Sequence, residues 1–178
     1  MFSCLLEQHN ASSSSIYKND TVLYGPGLAL DGLYSDDNET LFKSNVEDYP
    51  WIQWKLPSPV SINSIIINFG GSMQDIQIRV GNNSVGTSFR GKINVNTICG
   101  KFDGPSKAGE DYTIACKEEL LATHVTVQIL DDMASLEVNE ITIESRALGR
   151  FSQVKCKVVD KLVYFYSIVM KAKNFMQK

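Results

Sequence analysis

The sequence predicts an all-β protein, an antiparallel β-sandwich or jelly roll. Three observations predict it. Apolar residues alternate with polar ones in several runs: Ile76, Ile78 and Val80 against Gln77 and Arg79, then Val125, Val127 and Ile129 against Thr126 and Gln128. That period of two belongs to strands with one buried face. Glycine, proline and asparagine punctuate the chain at close spacing. Apart from Lys117 to Ala122, no helix is expected before residue 145. Roughly eight short strands follow, the pattern of a sandwich or jelly roll.

Taken in order, Glu7 to Tyr17 is polar and serine-rich and reads as an extended opening segment. Gly25-Pro26-Gly27 is a turn. Leu28 to Ser44 crowds Asp31, Asp36, Asp37 and Glu39 into a compact acidic loop. Asp31-Gly32 and Asp37-Asn38 favour turns there through side-chain to backbone hydrogen bonds. Tyr49 to Leu56 is aromatic and β-branched, which suits a pleated surface. It sets Ile52, Trp54 and Leu56 on one face and Trp51, Gln53 and Lys55 on the other; Pro57 and Pro59 are expected to end it.

Ser61 to Gly81 holds two strands around the turn Gly70-Gly71, the first carrying the run Ile65, Ile66, Ile67. A turn near Asn82-Asn83 follows. Gly91 to Cys99 alternates in part, with Ile93, Val95 and Thr97 on one side, and Gly100 to Asp111 is a glycine-rich loop. Tyr112 to Cys116 and His124 to Leu130 are separate strands. Leu136 to Glu144 closes the series. Its apolar register changes at Asn139-Glu140, which predicts a bulge.

The 178 residues suffice for one domain with a full core and a tail. The net charge of −3 is uneven: Arg146 to Lys178 holds eight Lys/Arg against the single acid Asp160, +7, which leaves −10 on residues 1–145. An acidic body argues against a nucleic-acid partner and suits cations or polyols, although it serves solubility equally well. In the tail, Leu162 to Met170 is a nine-residue apolar run flanked by basic residues. It is short of the ~20 residues a membrane span needs. It reads as an extra strand, an interfacial segment touching a membrane, or sequence foreign to the domain.

Catalysis has no sequence support. There are two histidines, His9 and His124, and no nucleophile-elbow, zinc-protease or phosphate-loop pattern. None of the four cysteines forms a C-x-x-C pair, which argues against a zinc or redox site. Cys99 and Cys116 bracket the glycine-rich loop, and a bridge between them would contribute on the order of 3 kcal/mol. Cys4 and Cys156 either tie the termini or stay free. Sequons at Asn10, Asn19, Asn38 and Asn82 lean towards a secreted glycoprotein, with no signal peptide visible in the chain. The loop Leu28 to Ser44 offers carboxylates and carbonyls suited to calcium but lacks EF-hand spacing; a solvated acidic turn is the alternative.

The ordered set of motifs resembles one family. Asn10 to Tyr17, Ala29-Leu30-Asp31-Gly32 and Pro50 to Leu56 are similar to the opening of a fucolectin-like (F-type lectin) domain. Ile65 to Asn68, Arg79 to Asn82, Cys99-Gly100, Cys116, Val125 to Gln128 and Leu136 to Ile143 continue the likeness in order, over residues 7 to 145. Residues 146–178 then form a basic tail. The wider resemblance is to discoidin domains of the coagulation-factor C type, which are galactose-binding-like sandwiches.

The resemblance implies an eight-stranded jelly roll with bound Ca2+ and a glycan or glycoprotein ligand. By analogy, Asp31 and Glu140 give carboxylates to the metal. Leu28, Leu33 and Asn139 give carbonyls, and Ser44 gives hydroxyl and carbonyl oxygens. The family's fucose site uses a histidine and two arginines. Here the histidine position falls near Glu47, and the arginine segment is shortened to Phe69 to Gln74 with neither arginine. The implied sugar site is therefore degenerate, with Glu47, Phe69 and Ser72 as its candidate contacts. Arg79 matches a structural strand of the family rather than the ligand arginines.

Overall fold

The computed structural model describes residues 11–32, 40–84, 89–90 and 93–146. Asn10, Leu33, Asn38, Cys4, Cys156 and the basic tail 147–178 lie outside the described residues. Among the described residues nine strands form: β1 Ala11–Ser13, β2 Phe42–Lys43, β3 Trp51–Phe69, β4 Ile76–Gly81, β5 Phe89–Arg90, β6 Ile93–Asn94, β7 Thr97–Phe102, β8 Asp111–Ile129 and β9 Glu137–Arg146. The main sheet runs β2-β9-β3-β8-β4-β7, with β1 on β3; β5 and β6 pair separately. All pairs are antiparallel.

Two 19-residue strands organise the fold. β3 and β8 pair first as Trp51–Lys55 against His124–Gln128, and again as Val60–Asn68 against Asp111–Ala122. The first half carries β1 and β4 as neighbours and the second carries β9. The pair thus passes from one layer of the sandwich to the other, with register shifts between Lys55 and Val60 and between Ile62 and Ser64.

The predicted core faces hold. Ile52, Trp54 and Leu56 are buried from the first half, and Ile62, Ile65 and Ile67 from the second. Ile76, Ile78, Val80, Val125, Val127 and Ile129 join them in a single apolar cluster. Each such side chain contributes about 1.5–3 kcal/mol by leaving water. The bulge also forms: Asn68 opposes Glu140 and Phe69 opposes Val138, so Asn139 is the extra residue. The Cys99–Cys116 disulfide ties β7 to the Asp111–Ala122 stretch of β8. The two approach closely enough that a Cβ on Gly100 would fall 2.4 Å from Ile114.

Three expectations are corrected. Pro57 and Pro59 do not end a strand; they sit in the exposed crossover between Lys55 and Val60, where no ladder N–H is needed. Lys117 to Ala122 is strand, not helix, because Val60–Ile62 pairs with Leu120–Ala122, and the two strands expected on either side are one. Finally, the apolar side of Gly91 to Cys99 faces solvent, with Ile93 at 42% and Val95 at 40% exposure, while Asn94 and Asn96 are buried. The outer face beneath is polar. Asn94 meets Gln128 Oε1 (3.1 Å) and Thr126 Oγ1 (2.9 Å), so amides are what that covering segment must bury.

Candidate functional site

The crossover in β3 and β8 brings one end of both layers together. Tyr49 N–H donates to Asp131 O (2.9 Å), Leu130 N–H to Asp75 O (3.0 Å), Ser106 N–H to Met73 O (2.8 Å) and Gly109 N–H to Phe69 O (3.0 Å). Segments 44–50, 69–75, 103–110 and 130–136 therefore form one loop-built end.

Beside it lies the candidate cation site. Leu28–Leu30 is a short 3-10 turn that delivers Asp31 and Gly32 to β9. There Glu140 is buried, and its Oε2 accepts the Gly32 N–H at 2.9 Å. Burial pushes the Glu140 carboxyl up to about 8, the Gly32 N–H opposes this, and the neighbouring Asp31 carboxylate adds to the rise. A buried acid beside a second acid, with only backbone donors from Gly32 and Ile141 and no base, is an arrangement that a hard cation would relieve. Asn139, the bulge residue, donates from Nδ2 to Asn68 Oδ1 (3.0 Å), and its buried Oδ1 has no partner. No cluster of three or more His, Cys, Asp or Glu side chains occurs among the described residues. The remaining ligands to such an ion would be carbonyls, which calcium accepts.

Ser44 is not brought into this group. Its N–H donates to Leu136 O (3.0 Å) and its hydroxyl accepts the Leu136 N–H (2.9 Å). Leu136 is four positions before Glu140, or ~13 Å along a strand. Since Phe42 opposes Val138, the same register continued by two residues sets Thr40 opposite Glu140. Strand register, which spacing does not reveal, makes that correction. Asp31 and Gly32 lie against Glu140, Asn139 precedes it in the bulge, and Leu28 begins the turn that carries Asp31.

The candidate sugar contacts fare differently. Phe69 is fully buried, 5.6 Å from the Phe102 ring and 5.9 Å from that of Tyr112, so it offers a ligand no surface. Its aromatic partners come from β7 and β8 and could not be read from the local sequence. Ser72 is exposed in the turn. Gly70 and Gly71 lie flat on β9: a Cβ on Gly71 would fall 3.0 Å from Glu137 Oε2. Glu47 bridges to Ala134 through both backbone hydrogen bonds (2.9 and 3.0 Å). Its Oε1 accepts the hydroxyls of Ser14 (2.6 Å) and Ser15 (2.5 Å). Glu47 and Ser72 thus flank the 133–138 segment from opposite sides.

Sequence reasoning missed Ser14 and Ser15 as supports; the serine run was their only signal. It also missed Met133, 73% exposed at a left-handed backbone position (φ 54°), and Val46, 59% exposed. Arg79 is structural, as expected: its Nε donates to Gln77 Oε1 (2.6 Å) and an Nη to Asn96 O (2.8 Å). His124 is buried near the crossover, its Nδ1 2.9 Å from Thr123 Oγ1. Burial first, and then Lys55, lowers its pKa. Of the sequons, Asn19 and Asn82 are exposed; Asn82 Oδ1 accepts from the Thr123 N–H (3.1 Å) and hydroxyl (3.2 Å).

This architecture is a galactose-binding-like jelly roll, the fold of F-type lectins and coagulation-factor type C domains. The similar solved structures are these. A fucolectin from striped bass serum aligns with TM-score 0.65 at 21% identity, over 79% of this chain and 48% of that one. The chain therefore spans about half the length of the bass lectin. A chitosan-binding module of a Paenibacillus chitosanase/glucanase aligns with TM-score 0.59 at 20% identity, over 80% and 98% of the two chains. An F5/8 type C domain from Bacteroides fragilis aligns with TM-score 0.56 at 17% identity, over 75% and 88%. No protein-family model and no curated protein sequence matches the chain.

Proposed function

We propose that the chain is an extracellular carbohydrate-binding module stabilised by calcium, taking a glycan or glycoprotein at the loop-built end and not restricted to fucose. The observation that carries the sugar reading is the shared jelly roll, whose similar structures are named as a fucolectin and a chitosan-binding module. The Cys99–Cys116 disulfide supports an oxidising compartment, and exposed Asn19 and Asn82 leave two acceptor sites for glycosylation there. Calcium, when bound, supplies positive charge to a buried pair of acids. Asp31 and Glu140 would hold it by carboxylates and Leu28 and Asn139 by carbonyls, with Leu33 adding a further carbonyl. This would fasten the 28–32 segment to β9.

Glycan-array binding in calcium and in chelator tests both parts. Capture of glycans in calcium is expected. No glycan bound at high protein density overturns the sugar reading, and a melting temperature unmoved by chelator overturns the calcium reading. A second reading has its own observation: Val46 and Met133 expose apolar side chains at the same end. This would suit a protein or membrane surface. Retention on liposomes or on extracellular protein extracts, lost in Met133→Ser, would favour it over the sugar.

A further inference from the structure

The loop-built end holds one acid in a manner its neighbours do not share. Glu47 is half-buried, and its backbone is locked to Ala134 by two hydrogen bonds. Its carboxylate is fixed through a single oxygen, because both serine hydroxyls donate to Oε1. Those hydroxyls are held in turn: Ser14 Oγ accepts the Trp51 N–H (3.0 Å) and Ser15 Oγ accepts the Asn45 N–H (3.0 Å). Oε2 has no hydrogen-bond partner among the described residues.

The nearby lysines are committed elsewhere. Lys43 pairs with Glu137 (2.6 Å) and lies 4.9 Å from the Tyr17 ring centre, and Lys18 lies 5.0 Å from the same ring. Arg79 is engaged with Gln77 and Asn96. Glu47 is thus a half-buried negative charge held by side-chain and backbone hydrogen bonds, with one open acceptor and no ion-pair partner among the described residues. Across the Glu47–Ala134 bridge, the same loop exposes Asp131 and Asp132.

We infer that this end selects a cationic amino sugar, with the Glu47 Oε2 receiving the ligand's ammonium group. The inference rests on the carbohydrate-binding reading and narrows it to a substrate class. A neutral hydroxyl can donate to Oε2 as well, but an ammonium adds charge to the hydrogen bond, and charge-assisted bonds are roughly twice as strong. The partial burial of Glu47 limits screening, and the fixed carboxylate loses little freedom on binding. A guanidinium in the site would have the opposite preference, for anions and ring oxygens, and none is present at this end among the described residues.

The test compares glucosamine oligosaccharides with their N-acetylated forms at equal length, by calorimetry at low and at physiological salt. Acetylation removes the charge and leaves the rest of the ring, so the comparison needs no variant. Free-amine oligomers should bind about tenfold more tightly, a margin that shrinks with salt and disappears in Glu47→Gln. Equal or better binding of the N-acetylated series overturns the inference and leaves the carbohydrate-binding reading standing. Failure of both series together with the whole glycan array overturns both. A free-amine preference that survives Glu47→Gln in a folded variant removes Glu47 from the role and overturns the assignment. Equal retention of polylysine and of the amino sugar would also overturn it, by making the site a general cation trap.

Discussion

Two acids at neighbouring places on β9 and its partner loop have opposite environments. Glu140 is buried, receives backbone hydrogen bonds from Gly32 and Ile141, and faces the Asp31 carboxylate. Glu47 is half-buried, receives two hydroxyls on one oxygen, and faces solvent with the other. The difference lies in who supplies the compensating interaction. Around Glu47 the protein supplies hydroxyl donors, so the group is held whether or not a ligand is present. Around Glu140 it supplies only part of what a buried charge needs, so the fold is left dependent on a proton or a cation. One acid is a prepared contact, and the other is a lock that something else must close.

The largest effect that could break this contrast is the pH dependence of stability in chelator. The folded-state pKa of Glu140 is raised from 4.5 to about 8, so between those values the native state binds more protons than the unfolded chain. Stability is then fully present below pH 4.5 and falls as pH rises to about 8, by several kcal/mol in total. Urea midpoints measured across this range should decline in chelator and flatten in saturating calcium. Glu140→Gln should remove both the decline and the calcium response and be more stable than the parent in chelator at pH 8. A flat profile in chelator would show that Glu140 is compensated from within the fold.

Next in size is the disulfide. Cys116→Ser should lower stability by about 3 kcal/mol for the 17-residue separation, measured by urea denaturation. The bridge joins β7 to β8, away from both acids, so the calcium-dependent increment should be unchanged. A lost calcium response in that variant would mean that the cation site depends on the β7 side of the sandwich, contrary to the topology.

What was legible in the sequence follows from what is local. The faces of Ile52-Trp54-Leu56, Ile76-Ile78-Val80 and Val125-Val127-Ile129 are set by alternation alone, and each is buried as expected. The register change at Asn139-Glu140 announces the bulge because an extra residue flips the pattern. What failed depends on partners far along the chain. Pro57 and Pro59 are tolerated because the strand there crosses between layers. Ile93 and Val95 face out because the sheet they cover presents Thr126 and Gln128. Ser44 misses the cation site because the β2–β9 register sets it against Leu136, four residues short of Glu140. Phe69 is lost to the ligand because Phe102 and Tyr112 close over it. The bulge at Asn139-Glu140 was therefore readable from alternation, whereas the strand partners of Ser44 and Phe69 were not.

The smallest effect sharpens the contrast most. Removing both hydroxyls with Ser14→Ala and Ser15→Ala strips Glu47 of its donors and also leaves the Trp51 and Asn45 N–H groups without their side-chain acceptors. Each unsatisfied group in a partly buried place costs about 1 kcal/mol. Water reaches Glu47, so the loss should stay near 1–2 kcal/mol rather than the several expected at Glu140. The melting temperature in calcium and in chelator should fall by the same amount, because this acid is independent of the cation. Any ligand that uses Glu47 should bind more weakly in the double variant, through lost preorganisation of the carboxylate rather than lost charge. A pair of alanines that leaves both stability and binding untouched would mean that the serines merely accompany Glu47. The contrast would then reduce to burial alone.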